Sequence, residues 1–262
     1  MTINQKEIAY PKISCLMVTA NRLHIAKRAI KCFADQSYPN KELIIIDDGE
    51  ENYKNILKNY SKFEIKYVKV EKQKNSSLGY LRNCSLDNAT GDYIVQWDDD
   101  DWYHPKRLDI QADILNKGYD ACCLSATIMH ISSKEYKYHP FIGQLRGGIP
   151  GSIMHKKSEN IRYSNLNREE DTYYLKEWSR KNLYIFDKSY NYLFIRSYHG
   201  NNTWEMEHFK RRLKNSTNKW LIYIWYFKIM KNPFRHPNFN LNYKEENSFK
   251  MFLDESIKMN LL

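Results

Sequence analysis

Gln96-Trp97-Asp98-Asp99-Asp100-Asp101-Trp102 is entered from Tyr93-Ile94-Val95 and runs on to Pro105; its reading decides how the rest of the chain is understood. Four consecutive carboxylates repel one another, and Asp is a poor former of both helix and strand. Tyr93-Ile94-Val95 nonetheless reads as a short buried strand, and Pro105 opens a helical pattern. A carboxylate cluster at the C-terminal edge of such a strand lies where open α/β sheets bind their ligands. A divalent cation relieves the repulsion best, and Mg²⁺ or Mn²⁺ choose carboxylate oxygens. The plainer reading is a solvated acidic loop. Two flanking Trp and an apolar strand feeding the run argue against it.

Working outward, Lys12 to Thr19 is a nearly continuous apolar run, as expected of a strand covered on both faces. Leu23, Ala26, Ile30 and Phe33 recur at helical spacing, with Asn21 available as N-cap. Glu42 to Ile46 is a second buried strand, ending in Asp47-Asp48-Gly49. Ile56, Leu57 and Tyr60 suggest a short helix, and Ile65 to Val70 a third strand. A loop rich in Lys, Asn and Ser leads to a helix from about Leu78 to Asn88, ahead of the fourth strand. Strand–helix alternation of this kind predicts a mostly parallel sheet with right-handed crossovers. Past a helix carrying Leu108, Ala112 and Leu115 the rhythm changes. Ala121 to Met129 reads as one strand, Gly147 to Gly151 as a tight loop, and Arg168 to Trp178 as a helical stretch with an acidic start. Tyr184 to Phe194 has room for two short strands, and Tyr198 to Trp204 is a loop.

The length, 262 residues, suits one large α/β domain with a subdomain, and 42% hydrophobic residues exclude a disordered chain. A net charge of +10 favours acidic partners: nucleotide phosphates, nucleic acid or an anionic membrane surface. Aromatic residues reach 15%, which suits sugar-binding and interfacial surfaces. Five cysteines form no Cys-x-x-Cys pair, and several sit in apolar strand-like runs. Buried free thiols, and so a reducing cytoplasmic compartment, are expected. No stretch approaches the ~20 apolar residues of a spanning helix.

Several pieces, taken in order, resemble the family 2 glycosyltransferases, inverting enzymes of the GT-A fold. They are Val18-Thr19-Ala20-Asn21-Arg22, Gln36-Ser37-Tyr38-Pro39-Asn40, Ile46-Asp47-Asp48-Gly49, Arg82-Asn83, Ala89-Thr90-Gly91-Asp92-Tyr93-Ile94, and the Asp98-Asp99-Asp100 pattern with Pro105 downstream. The resemblance covers roughly residues 11 to 204. It implies a Rossmann-like, mostly parallel central sheet with flanking helices, to which the basic, aromatic sequence after about Met206 adds a C-terminal helical extension. It implies a nucleotide-sugar-binding half at 1–117 and an acceptor half at 118–205; the composition marks a basic aromatic extension at 206–262.

The same resemblance supplies roles. Asp48 matches the carboxylate that accepts a hydrogen bond from the donor's base. Thr19, Asn21 and Arg82 match the nucleotide pocket, with Asp98 and Asp99 completing the donor site. Asp98 and Asp100 match the Asp-x-Asp pair, Asp100 being the expected direct ligand of Mn²⁺ or Mg²⁺. Asp171, in the Glu170-Asp171 pair, matches the catalytic base, and His199 a lid-loop histidine that approaches the metal. Ala20 stands where many relatives have an aromatic, so stacking on the base is weakened or supplied elsewhere. The implied partners are a nucleotide-sugar donor, a UDP-sugar above others, and a glycan acceptor that is free or lipid-linked.

The chemistry asks for these groups on physical grounds. A departing diphosphate needs a cation and positive side chains, and the acceptor hydroxyl, far too weak an acid to ionise freely, needs a carboxylate base. Each piece also has a plainer reading. Asp47-Asp48-Gly49 is a common turn sequence, Glu169-Glu170-Asp171 suits any helix first turn, and loop histidines are mostly solvated. Two other enzyme or binding classes compete: a nucleotidyltransferase of similar architecture, and a nucleotide-sugar-binding protein without activity. A nucleotidyltransferase needs a Gly-rich basic phosphate loop, which Thr19-Ala20-Asn21-Arg22 is not. Nucleic-acid binding is opposed by acidic strand ends. In the tail, Trp220-Leu-Ile-Tyr-Ile-Trp-Tyr-Phe227 with Lys228, Lys231 and Arg235 is expected to pack its aromatic face on the domain. The flanking cations would then meet an anionic surface, placing the protein peripherally at the inner face of the cell membrane.

Overall fold

The computed structural model describes residues 10–71, 76–200, 202, 205–214 and 217–262. The Lys/Asn/Ser-rich loop falls partly outside these residues, as does the 198–204 loop. Apolar runs at β1 (Ile13–Thr19), β2 (Lys41–Asp47) and β4 (Tyr93–Gln96) build the centre of a seven-stranded sheet, almost every residue of them buried. β3 (Glu64–Lys69), β6 (Ala121–Leu124), β9 (Met154–Lys156) and β10 (Leu183–Phe186) complete it in the order β10-β6-β9-β4-β1-β2-β3. β3, β2, β1 and β4 are parallel, as strand–helix alternation requires; β9 runs antiparallel to both neighbours. The helices α1 (Leu23–Ala34), α2 (Lys54–Leu57), α3 (Leu78–Asn88), α4 (Arg107–Asn116) and α5 (Glu170–Trp178) are the predicted ones.

Two local readings differ from expectation. Ala121 to Met129 is not one strand: β6 ends at Leu124, and β7 (Ala126–Ile131) belongs to a second sheet. Both faces of both strands are buried, so the apolar run carries no mark of the corner at Ser125. The second sheet, ordered β5-β11-β7-β8, also takes β5 (Trp102–Tyr103), β8 (Phe141–Gln144) and β11 (Phe194–Tyr198). The acidic run is therefore the hinge between the sheets, leaving β4 of the first and entering β5 of the second. Asn21 does not cap α1 with its side chain. It holds a positive φ of 52°, and its Oδ1 accepts from the Glu50 amide at 2.6 Å, while Glu51 Oε2 takes the Leu23 amide at 2.7 Å. Gly49 is required there, since a Cβ would lie 2.4 Å from the Asn21 nitrogen.

The extension holds α6 (Met206–Lys210), α7 (Thr217–Ile224), a π-helical turn over Trp225–Ile229, and α8 (Tyr243–Lys258). α8 opens on an Asn242/Glu245 capping box and buries Phe249 and Phe252 in the main core. It also braces the acidic hinge. Arg28 lies over the Phe252 ring at 4.8 Å, donates to Ser256 Oγ at 3.0 Å, and donates to the Asp100 carbonyl at 2.6 Å. Trp102 Nε1 donates to Glu255 Oε2 at 3.0 Å. The role of core-completing C-terminal helix thus falls to α8 rather than to Trp220–Phe227. In that earlier segment Tyr223 and Phe227 pack toward Met129, Phe141, Phe209 and Leu213. Trp220, Trp225 and Ile229 stay 49%, 51% and 60% exposed.

Candidate active site

Strand register assembles the site. Leu16 pairs with Gln96 and Thr19 with Asp47, so three residues past Gln96 the chain runs level with Thr19. Thr19 Oγ1 accordingly donates to Asp99 Oδ2 at 2.7 Å. The cleft that opens at this sheet edge has a volume of about 370 Å³. Among its walls are Thr19, Asp48, Arg82, the Asp98–Asp101 run, Asp171 and Arg196.

The four aspartates divide by environment. Asp101 is buried and accepts from the Ser197 amide at 3.0 Å; burial, and then Asp100, push its carboxyl well above the usual range. Asp99 is also buried, and burial and the neighbouring Asp100 charge push it up to about 7. Both serve the hinge. Asp98 accepts from Arg82 Nη2 at 3.0 Å and Gln96 Nε2 at 3.1 Å. Gly151 gives it room, because a Cβ there would stand 3.0 Å from Asp98 Oδ2. Asp100 accepts from Asn202 Nδ2 at 3.0 Å, with Arg22 Nη1 and His199 Nε2 each at 3.4 Å. Burial opposes its ionisation, but His199, Arg22 and Arg196 outweigh that and hold it below the ordinary carboxylate range. Among Asp99, Asp100 and Asp101, Asp100 is the one whose surroundings favour the charged form.

At the end of β2, Asp47 is buried and spent on structure: it accepts from the Gly49 amide, the Tyr67 hydroxyl and Lys69 Nζ. Asp48 turns the other way and lines the cleft. The same division recurs at the start of α5. Glu170 is buried and accepts from Arg82 Nε at 2.9 Å, while Asp171, also in the first turn and also lining the cleft, has no such ion pair among the described residues. The helix N-terminus favours a negative charge there. Arg82 links both carboxylate sets, from Glu170 on one side to Asp98 on the other, and is itself 8% exposed. Burial works against its charge, yet Asp98, Tyr163 and Glu170 drive its pKa well above the usual value.

Of the residues expected at the site, Thr19, Asp48, Arg82, Asp98, Asp99, Asp100 and Asp171 meet at one cleft, and His199 touches it through Asp100. Asn21 is placed outside the lining, organising the 49–51 turn. The lining residues that carried no role in the sequence reading include the polar side chains of Arg22, Arg196 and Asn202. Arg196, a cation inside the apolar run of β11, was the one with a readable signal. As to a cation, among the described residues no three His, Cys, Asp or Glu side chains form a ready-made cage. The donor set nonetheless fits a cation that completes its shell from a diphosphate. Asp100 and His199 stand together, Asp98 lines the same cleft, and the Nδ1 of His199 is buried with no partner among the described residues.

A mostly parallel central sheet with flanking helices and an acidic hinge at its strand ends is the GT-A fold, and solved structures agree. Two of the solved structures that align over 95% of this chain show the likeness. One is S. aureus TarS 1-349 in complex with UDP-GlcNAc, with TM-score 0.60, 14% identity and 81% of that chain covered. The other is mannosyltransferase PcManGT from Pyrobaculum calidifontis in complex with GDP-Man and Mn²⁺, with TM-score 0.57, 11% identity and 76% covered. At such identities the likeness is one of fold. The model of the family "Glycosyl transferase family 2" matches residues 14–242, and the chain belongs to that family. Relatives include the putative glycosyltransferase EpsE of Bacillus subtilis, 35% identical over 109 residues, which are 41% of this chain and 39% of EpsE. The putative colanic acid biosynthesis glycosyl transferase WcaA of Escherichia coli is 35% identical over 101 residues, 38% of this chain and 36% of WcaA. The matched stretch thus spans less than two thirds of these relatives' length.

Proposed function

We propose that the protein is a metal-dependent, inverting glycosyltransferase that moves a hexosyl group from a nucleotide-sugar donor, a UDP-sugar first among them, to a glycan hydroxyl in surface polysaccharide synthesis. The observation that carries this reading is the placing of Asp171 in the same cleft as Asp48 and the Asp98/Asp100 pair. In this reading residues 1–117 hold the donor and 118–205 the acceptor. Asp48 accepts from the base, Thr19 and Asp99 shape the nucleotide wall, and Arg82 holds Asp98 in place. Asp100, Asp98 and His199 would hold Mn²⁺ or Mg²⁺, which when bound offsets the diphosphate's negative charge.

Asp171 Oδ takes the proton of the acceptor hydroxyl as its oxygen bonds to the anomeric carbon. The bond from that carbon to the diphosphate oxygen breaks, and its electron pair leaves with the diphosphate. Arg22 and Arg196, whose guanidinium groups face the acidic run, stabilise the charge that develops. Attack opposite the leaving group inverts the anomeric centre. The test is a donor panel with NMR of the product. A β-linked product from an α-linked donor supports the reading, and no turnover or binding with any nucleotide sugar would sink it.

The proposal extends to location, the cytoplasmic face of a membrane. No helix among the described residues is long and apolar enough to cross one. The exposed strip of Trp220, Leu221, Trp225 and Ile229, beside Lys228 and Lys231, suits a lipid interface instead. Flotation with phosphatidylglycerol vesicles should occur at low salt and weaken at high salt, each nearby cation contributing about 1 kcal/mol. Trp225→Glu should abolish it with the fold intact. Salt-independent flotation, or none, removes this role.

A further inference from the structure

A second groove, of about 350 Å³, lies between α4, the end of β10 and the start of α8. None of its lining residues lines the cleft of Asp48 and Asp100. Phe186 of β10 is buried in it, 2% exposed, and the Tyr190 ring packs against Phe186 at 4.9 Å between centres. Tyr192 follows, its ring 6.5 Å from that of Tyr190 and turned from it by only 23°. The turn over Lys188–Leu193 that carries both tyrosines is tied down from two sides. Buried Asn191 donates to Glu245 Oε1 of α8 at 2.5 Å, and the His104 ring meets Tyr192 edge-on at 5.3 Å. The two rings are therefore held in place before any ligand arrives.

Both tyrosines are only partly buried, and neither hydroxyl has a hydrogen-bond partner among the described residues. A flat ring with a polar tip, half in and half out of the core, suits a ligand that is apolar on one face and polar at its edges. The rim of the groove is polar in both senses. Asp113 and, one turn on, Lys117 lie on the exposed side of α4, Ser189 offers a hydroxyl, and Lys244 Nζ stands 5.5 Å over the Tyr192 ring. A wholly apolar occupant would leave these donors and acceptors without partners, and Asp113 opposes a polyanion. A pyranose ring answers all of these demands. Its C–H face lies on an aromatic ring, and its hydroxyls turn outward to the carboxylate, hydroxyl and ammonium groups. The groove is also close to the chemistry: Tyr192 stands four residues before Arg196 of the cleft wall, at most roughly 14 Å of chain.

We infer that this groove is a second carbohydrate-binding site, in which Tyr190 and Tyr192 stack on the sugar rings of a saccharide chain while Asp113, Lys117 and Lys244 bind its hydroxyls. The site goes beyond the proposed reaction and stands whether or not Asp171 is the base. In a glycosyltransferase it holds a growing chain away from the reacting end, so that each addition begins from a chain already bound.

The test is calorimetric titration of the full chain, without donor, with maltohexaose, cellohexaose and chitohexaose. Wild type should bind at least one of them. Tyr190→Leu/Tyr192→Leu keeps apolar bulk against Phe186 but removes the flat faces, and should weaken binding about tenfold, the order expected for lost aromatic contact. Asp113→Ala/Lys117→Ala, confined to the exposed side of α4, should weaken it severalfold without touching the core. That pair decides alone if circular dichroism shows the leucine pair to be unfolded. Tyr138→Leu removes a tyrosine that is 61% exposed elsewhere on the surface, and should bind as wild type. The site is overturned if none of the saccharides binds, if the α4 pair binds as wild type, or if Tyr138→Leu weakens binding as much as the leucine pair does. Wild-type affinity in a folded leucine pair overturns it too, and would place the bound saccharide in the cleft. Saccharide binding by a protein that transfers no sugar would count against the proposed function and leave this site standing.

Discussion

Replacing Asp171 by Asn is expected to lower the rate of sugar transfer by roughly 10²–10⁴, the usual worth of a general base, with donor affinity almost unchanged. The amide keeps the volume of the side chain and its contact with Thr172 Oγ1, but it cannot take a proton. Donor affinity is spared because the groups assigned to the nucleotide, Asp48, Thr19 and Asp99, come from other strands. Glu170→Gln is the informative companion. Glu170 is buried against Arg82, which in turn holds Asp98, so its loss should disturb donor binding and folding rather than the proton transfer alone. Steady-state kinetics on the two variants separate the roles. Near wild-type turnover in Asp171→Asn would remove the residue from the mechanism.

Asp100→Ala should reduce turnover by roughly a thousandfold, corresponding to about 4 kcal/mol of lost transition-state stabilisation. A chelator should do the same to the wild-type protein, and added Mn²⁺ or Mg²⁺ should reverse only the second loss. The fold should survive, because Arg28 grips the Asp100 carbonyl rather than its side chain. Asp101→Ala makes the contrast: it leaves the buried Ser197 amide without its acceptor, at a cost of about 1–3 kcal/mol in stability. Thermal unfolding beside activity distinguishes the pair. Full activity of the wild type in chelator would end the metal assignment.

The order of strands and helices through α4 was legible because each apolar run is long enough, and buried enough, to show its period. The motif pieces at Thr19, Asp48, Arg82 and Asp98–Asp100 carried the family. The resemblance pointed to Asp48 rather than Asp47 and to Asp171 rather than Glu170; in the structure Asp47 and Glu170 are the members buried against partners. Legibility failed where strands are short and covered on both faces. Ala121–Ile131 hides a change of sheet, and Trp102–Tyr103 is too brief to show a period.

By itself, then, the sequence determined the class of fold, the family and the acidic edge at which the chemistry is expected, since these follow from local pattern and ordered motifs. Only the tertiary structure decided how the four consecutive aspartates divide their work. Asp99 and Asp101 go to buried hydroxyl and amide partners, Asp98 to Arg82, and Asp100 to the cleft with His199. It alone also revealed that α8, some 150 residues downstream, braces the acidic hinge through Glu255 and Trp102. The physical reason is that a carboxylate's role depends on its solvation and its partners, and those partners come from strands and helices remote in the chain.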